Sequence, residues 1–151
     1  MTFSAPLLQP EHGYVILVAV SVAFVNLWAG FKVGAARRLY GIAYPQMYAE
    51  TKDEHFLAFN CVQRAHQNVL ENLPIFFALL LTSAYVALLF VYRPTWAALA
   101  GLVRIVGFVV YIHFYASGDP AKRNYGAFGY IGLLTSLGLS FEAAFRLLTS
   151  A

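Results

Sequence analysis

Arg64, Asn68 and Glu71 stand at i, i+4 and i+7 in the stretch CVQRAHQNVLENLP. On a helix that spacing stacks a cation, an amide and an anion on one face. Gln63 and Gln67 form an adjacent ridge, with His66 beside it. A second row follows further on, where Arg104, Tyr111 and Tyr115 are spaced i, i+7 and i+11 and share roughly one face at about 100° per residue. Beyond it the segment SGDPAKR turns at Gly118-Asp119-Pro120 and delivers Lys122 and Arg123, while Arg37 and Arg38 close the first apolar run. A mixture of cations, one anion and amides suits a small zwitterionic or anionic ligand. The plainer alternative is a helix-entry ion pair between Arg64 and Glu71, because charged side chains near a helix end reach water at little cost. Arg104 is harder to explain that way, since an arginine near mid-span must face protein or water.

Other chemistries lack their residues. Cys61 is the only cysteine, so neither a disulfide framework nor a CxxC pair exists. The four histidines, His12, His55, His66 and His113, show neither HxxxH nor HExxH spacing, and no protein-bound metal is expected. A glycine-rich phosphate loop, a GxSxG elbow and a basic-aromatic nucleic-acid module are all missing, so no nucleic acid is expected as a partner.

The elements that must hold these rows are apolar. Hydrophobic residues make up 60% of the 151 positions and charged residues 11%. Mean hydropathy is +0.64, well outside the range of soluble domains. Four runs, 14–31, 72–92, 94–118 and 124–141, carry little or no charge. Each approaches the 17–25 residues or so that a helix needs to cross a ~30 Å hydrocarbon core, and a helix satisfies its own backbone in lipid. The pattern predicts an all-α integral membrane protein, a four-helix bundle forming one domain over 1–151 with helices at roughly 14–35, 60–92, 94–117 and 124–148. MTFSAPLLQPEHG ahead of the first run carries no basic segment, unlike a signal peptide. Lys32, Arg37, Arg38, Lys52, Arg64, Lys122 and Arg123 fall at or near the first and third connections, which the positive-inside rule places in the cytosol.

Three segments, FNCVQRAHQNVLENLP, the ARR at 36–38 and YIHFYASGDPAKR at 111–123, resemble the MAPEG family, the membrane-associated proteins in eicosanoid and glutathione metabolism. The likeness covers nearly the whole chain. It implies a homotrimer with glutathione as co-substrate, held between subunits near the cytosolic face. Arg37, Arg64, Asn68, Glu71, Tyr111 and Tyr115 would then bind glutathione. Glu71 would meet its amino group and Arg64 a carboxylate. Arg123 would stabilise the thiolate and Arg38 would donate a proton. Gln63, His66, Gln67, Arg104 and Lys122 are secondary candidates, and the length of the loop leaves either Lys122 or Arg123 to reach the sulfur. Asn72 stands where leukotriene-forming relatives carry Tyr.

The implied activity is that of a glutathione transferase and glutathione-dependent peroxidase, acting on lipophilic electrophiles and lipid hydroperoxides delivered through the bilayer. A free thiol titrates near pH ~8.5, and a guanidinium beside it favours the reactive thiolate. Two alternatives belong to other classes: a non-catalytic lipid-binding scaffold, and an accessory subunit of a larger membrane complex. By the same resemblance the endoplasmic reticulum is the expected membrane, with the mitochondrial outer membrane as the alternative.

Overall fold

The computed structural model describes residues 9–85 and 93–149. Within them the chain is helical: α1 is His12–Tyr40, α2 Phe56–Tyr85, α3 Arg93–Tyr115 and α4 Gly129–Thr149, with a 3₁₀ helix at Pro120–Gly126 before α4. Three helices, His12–Tyr40, Pro94–Tyr115 and Gly129–Thr149, are long and apolar enough to cross a membrane. The polar head of α2 sets it apart from these three. The connection between α2 and α3 lies outside the described residues, and so does the expected continuation of the second helix to residue 92.

Several boundaries differ from the sequence expectation. The first helix was expected to stop near residue 35. It runs on to Tyr40 and stops at Gly41, whose φ of 67° only glycine adopts readily and whose N–H donates to the Arg37 carbonyl. Arg37 and Arg38 therefore lie in its last turn, where cations complement the helix dipole. The second helix starts at Phe56 rather than 60, and the third ends at Tyr115 rather than 117. The fourth starts at Gly129 rather than 124, because Pro120, with Asp119 accepting from the Ala121 N–H at 3.0 Å, winds the intervening residues into 3₁₀ geometry.

Helix α3 is the hub, packed against α1, α2, α4 and the 3₁₀ helix. The main core joins Val15, Val18 and Val22 of α1 with Val69, Phe76 and Leu80 of α2 and Ile105, Phe108 and Ile112 of α3. A second cluster, including Val33, Ile42, Ala49, Phe59 and Val62, lies under the connection 41–55. Outside the bundle, Leu17, Phe24 and Phe31 of α1 and Leu134, Phe141 and Phe145 of α4 are exposed. Apolar side chains in such numbers on the outer face are those of a protein solvated by lipid or by a neighbour.

Glycines bring α3 into backbone contact with the 3₁₀ helix and with α4. A Cβ at Gly126 would stand 2.6 Å from the Gly107 carbonyl oxygen and 2.6 Å from Tyr111 Cβ, and one at Gly129 would stand 2.9 Å from Gly107 Cα. Small residues at a helix contact let backbones approach, the usual device where lipid removes the hydrophobic drive for association.

Candidate functional site

At the end of the bundle that carries the connection 41–55 and the 3₁₀ helix, a polar cavity of about 290 Å³ opens between α2, α3 and the segment leading into α4. Arg64 and Asn68 line it from α2, Arg104, Phe108, Tyr111 and Tyr115 from α3, and Arg123, Asn124 and Tyr130 from the chain beyond. Helical periodicity explains the first two groups, because residues about one turn apart present side chains to the same side. The 3₁₀ helix returns Arg123 over the mouth of the cavity. Tyr111 and Tyr115 meet edge to face, with ring centroids 5.4 Å apart.

Arg64 Nη1 lies 3.3 Å from Glu71 Oε1, and both side chains are about half exposed. This pair uses up one cation and one anion, and leaves Arg104 and Arg123 as the cavity's other guanidiniums. Arg104 is 4% exposed. Its Nη2 donates to Asn72 Oδ1 at 2.9 Å, and its guanidinium lies over the rings of Phe108 and Tyr130 at 4.4 and 4.3 Å. The amide of Asn72 in turn donates to the Asn68 carbonyl at 2.8 Å, so both ends of that side chain are used.

Other expected site residues lie elsewhere. Arg37 is not at the cavity: it is buried, donates to the carbonyls of Gln46 at 2.7 Å, Met47 at 3.4 Å and Ile42 at 3.5 Å, and stacks on Tyr44 and Phe59. Its guanidinium holds the first connection through these carbonyls and does not line the cavity of its own chain. Arg38 is exposed on α1. Lys122 pairs with Asp119 at 3.8 Å and does not line the cavity, whereas Arg123 does. Gln67 accepts from the Tyr48 hydroxyl, tying the connection to α2, and His66 Nε2 lies 3.2 Å from Asn26 Oδ1 on α1. Gln63 is buried, its Oε1 without a hydrogen-bond partner. None of these three lines the cavity of its own chain. In the connection itself Glu50 lies 2.7 Å from Lys52, and its hydrogen bond and charge hold the ammonium above the usual lysine pKa.

A larger apolar cavity of about 750 Å³ lies at the other end of the bundle, lined by residues such as Val15, Leu81, Leu137 and Phe141. No lysine or arginine lines it, so size alone is a poor guide to the chemistry here. Among the described residues no cluster of His, Cys, Asp or Glu could hold a metal ion.

A model of the MAPEG family matches residues 15–145. The chain belongs to the MAPEG family. Membership is consistent with membrane-bound glutathione transferase or peroxidase chemistry, in a family that also has non-catalytic members. In this MAPEG chain the polar cavity gathers three guanidiniums, two amides and three tyrosines. Phe108, Asn124 and Tyr130 were not anticipated from sequence. Phe108, one turn beyond Arg104 on α3, and Tyr130 read as ordinary apolar or interfacial residues, and only the packing of α4 on α3 brings Tyr130 to Arg104. The faint signal was the run of Gly126, Gly129 and Gly132, which marks a close helix contact opposite Gly107.

Proposed function

We propose that the protein is a membrane-bound glutathione transferase and glutathione-dependent peroxidase, acting on lipophilic electrophiles and lipid hydroperoxides, and closest in character to microsomal glutathione S-transferase 3. One observation carries the reading: Arg64, Asn68, Tyr111, Tyr115 and Arg123, drawn from three separate stretches of sequence, line one polar cavity.

The side chains fit the tripeptide. Glutathione has two carboxylates, an ammonium and a thiol. Arg64 offers a planar fork to a carboxylate, and Glu71, freed from Arg64 by that carboxylate, would take the ammonium. Asn68 and the tyrosine hydroxyls serve the peptide groups. Arg123, at the mouth, favours the thiolate over the thiol, and the thiolate is the attacking species. In this reading an apolar second substrate enters from the bilayer, and the enzyme contributes mainly by positioning it.

In this reading three copies of the chain assemble, and the exposed Arg38 of one subunit serves a neighbour's cavity as proton donor. The connection 41–55 and the 3₁₀ helix face the cytosol, where glutathione is supplied, and the membrane is that of the endoplasmic reticulum.

The second reading, a non-catalytic lipid-binding scaffold, is favoured by the larger apolar cavity. Assaying purified protein with glutathione, a lipid hydroperoxide and an electrophilic arene separates the two. Turnover of either substrate supports the enzyme. Binding of lipid with no turnover supports the scaffold.

A further inference from the structure

Among the described residues Arg104 is the most deeply buried charged side chain, at 4% exposure. Its backbone lies about 16 Å along α3 from that of Tyr115, at ~1.5 Å per residue, yet its side chain lines the same cavity as Tyr115 and Arg123. Its hydrogen-bond partner Asn72 is neutral, so the charge is not cancelled there. Glu71, on the same helix as Asn72, is engaged with Arg64. The rings of Phe108 and Tyr130 cover the guanidinium, which confines further partners to its plane. In that plane Nε has no hydrogen-bond partner, although it is buried and belongs to a side chain that lines the polar cavity. A buried charged side chain with an unused donor, lining the cavity beside Gly107 and Phe108, is suited to an acceptor oxygen.

We propose that Arg104 is the oxygen receptor for the lipophilic substrate, binding the peroxide of a lipid hydroperoxide and favouring oxygen-bearing lipids over halogenated hydrocarbons. The inference rests on the glutathione reading for its nucleophile. In that reading a carboxylate of the tripeptide is met by Arg64 and its thiolate by Arg123, which leaves Arg104 as the cavity's one guanidinium for the second substrate. The thiolate sulfur attacks the terminal peroxide oxygen. An S–O bond forms as the O–O bond breaks, and the electron pair leaves on the lipid oxygen. That alkoxide takes the proton released when the thiol ionised, giving lipid alcohol and glutathione sulfenic acid. A second glutathione then reduces the sulfenic acid to yield glutathione disulfide and water. Arg104 holds donors where the negative charge develops on the departing oxygen, and they need no reorganisation during the step.

The test compares a long-chain alkyl hydroperoxide with an alkyl iodide of equal length, using full-length protein in lipid nanodiscs. Arg104→Gln should lower the ratio of hydroperoxide to iodide kcat/KM by roughly 100-fold, the scale of losing one oxyanion donor. Glutathione affinity, read separately by calorimetry, should stay within about twofold of wild type, since a residue that touches only the second substrate makes no uniform contribution to tripeptide binding. Arg104→Lys should lower the ratio less, because a point charge keeps part of the field, and it carries the test if Arg104→Gln does not fold. An unchanged ratio overturns the proposal, as does a fall in glutathione affinity, which would make Arg104 a glutathione ligand. Wild-type protein that turns over neither substrate overturns the transferase reading itself.

Discussion

Arg104 on α3 donates to the side-chain oxygen of Asn72 on α2 at 2.9 Å, joining two helices through a charged group and an amide well below the bundle's basic end. Replacing Asn72 by Leu removes the acceptor and leaves the guanidinium short of a partner. Hydrogen bonds between helices in lipid are worth about 0.5–2 kcal/mol, and loss of a partner for a buried charge lies at the upper end. Asn72→Leu should therefore lower the midpoint of thermal unfolding in detergent, and Asn72→Gln should restore part of it. Equal midpoints for Asn72→Leu and wild type would show that the bond contributes nothing.

The Arg64–Glu71 pair makes a prediction about binding. If the two residues hold opposite charges of one ligand, Arg64→Ala or Glu71→Gln weakens glutathione binding by about tenfold or more, from the 1.5–3 kcal/mol or so of a charge-assisted bond. Titration calorimetry on protein of native oligomeric state reads this directly. Wild-type affinity in both variants would return the pair to a purely structural role.

For Arg123 the signature is the pH profile. A nearby guanidinium lowers the thiol pKa below its free value of about 8.5, so the thiolate predominates at lower pH. Arg123→Ala removes that effect, and the bound thiol should titrate closer to its free value. The loss of rate should then be large at pH 7 and small at pH 9, where the thiol ionises with or without help. Lys122→Ala, which breaks only the pair with Asp119, should leave the profile in place. Ultraviolet titration of the bound thiolate in both variants discriminates between them, and a shift in Lys122→Ala alone would transfer the role to Lys122.

Gly126→Ala tests the close approach of α3 and the 3₁₀ helix. The added methyl would stand 2.6 Å from the Gly107 carbonyl oxygen and from Tyr111 Cβ, so backbone must move. Overpacking of this kind costs about 1–3 kcal/mol. The variant should unfold earlier and lose glutathione affinity together, because the displaced wall carries Tyr111. Gly138→Ala, with nothing within 4 Å of the added atom, is the matched control.

Topology is tested by labelling in sealed microsomes, in a Cys61→Ala background. An impermeant maleimide should reach a cysteine at Lys52 from the cytosolic side and one at Glu11 only after the membrane is opened. The reverse pattern would deny cytosolic glutathione access to the polar cavity.

Much of this was legible in the sequence, and the exceptions share a cause. The i, i+4, i+7 row on α2 and the tyrosines of α3 were readable because helical periodicity fixes which residues share a face of one element. Beyond the turn the sequence offered both Lys122 and Arg123, and only Arg123 lines the cavity. Periodicity does not say which face of one helix meets which face of another, so Tyr130 over Arg104 and the use of Asn72 as its acceptor could not be read. The fate of Arg37 was hidden for a related reason. Its partners are carbonyls of the connection 41–55, and backbone carbonyls have no signature in sequence.

The glycine seam between α3 and α4 also bears on how substrate preference can change. One wall of the polar cavity is main chain at Gly107 and Gly126, with no side chain there to lengthen, shorten or re-aim. Adaptation to a new lipid must then be written on the facing surfaces, at Asn68, Phe108 and Tyr130. A combinatorial library confined to those three codons should recover altered selectivity, and randomising the seam should yield mostly proteins that do not assemble.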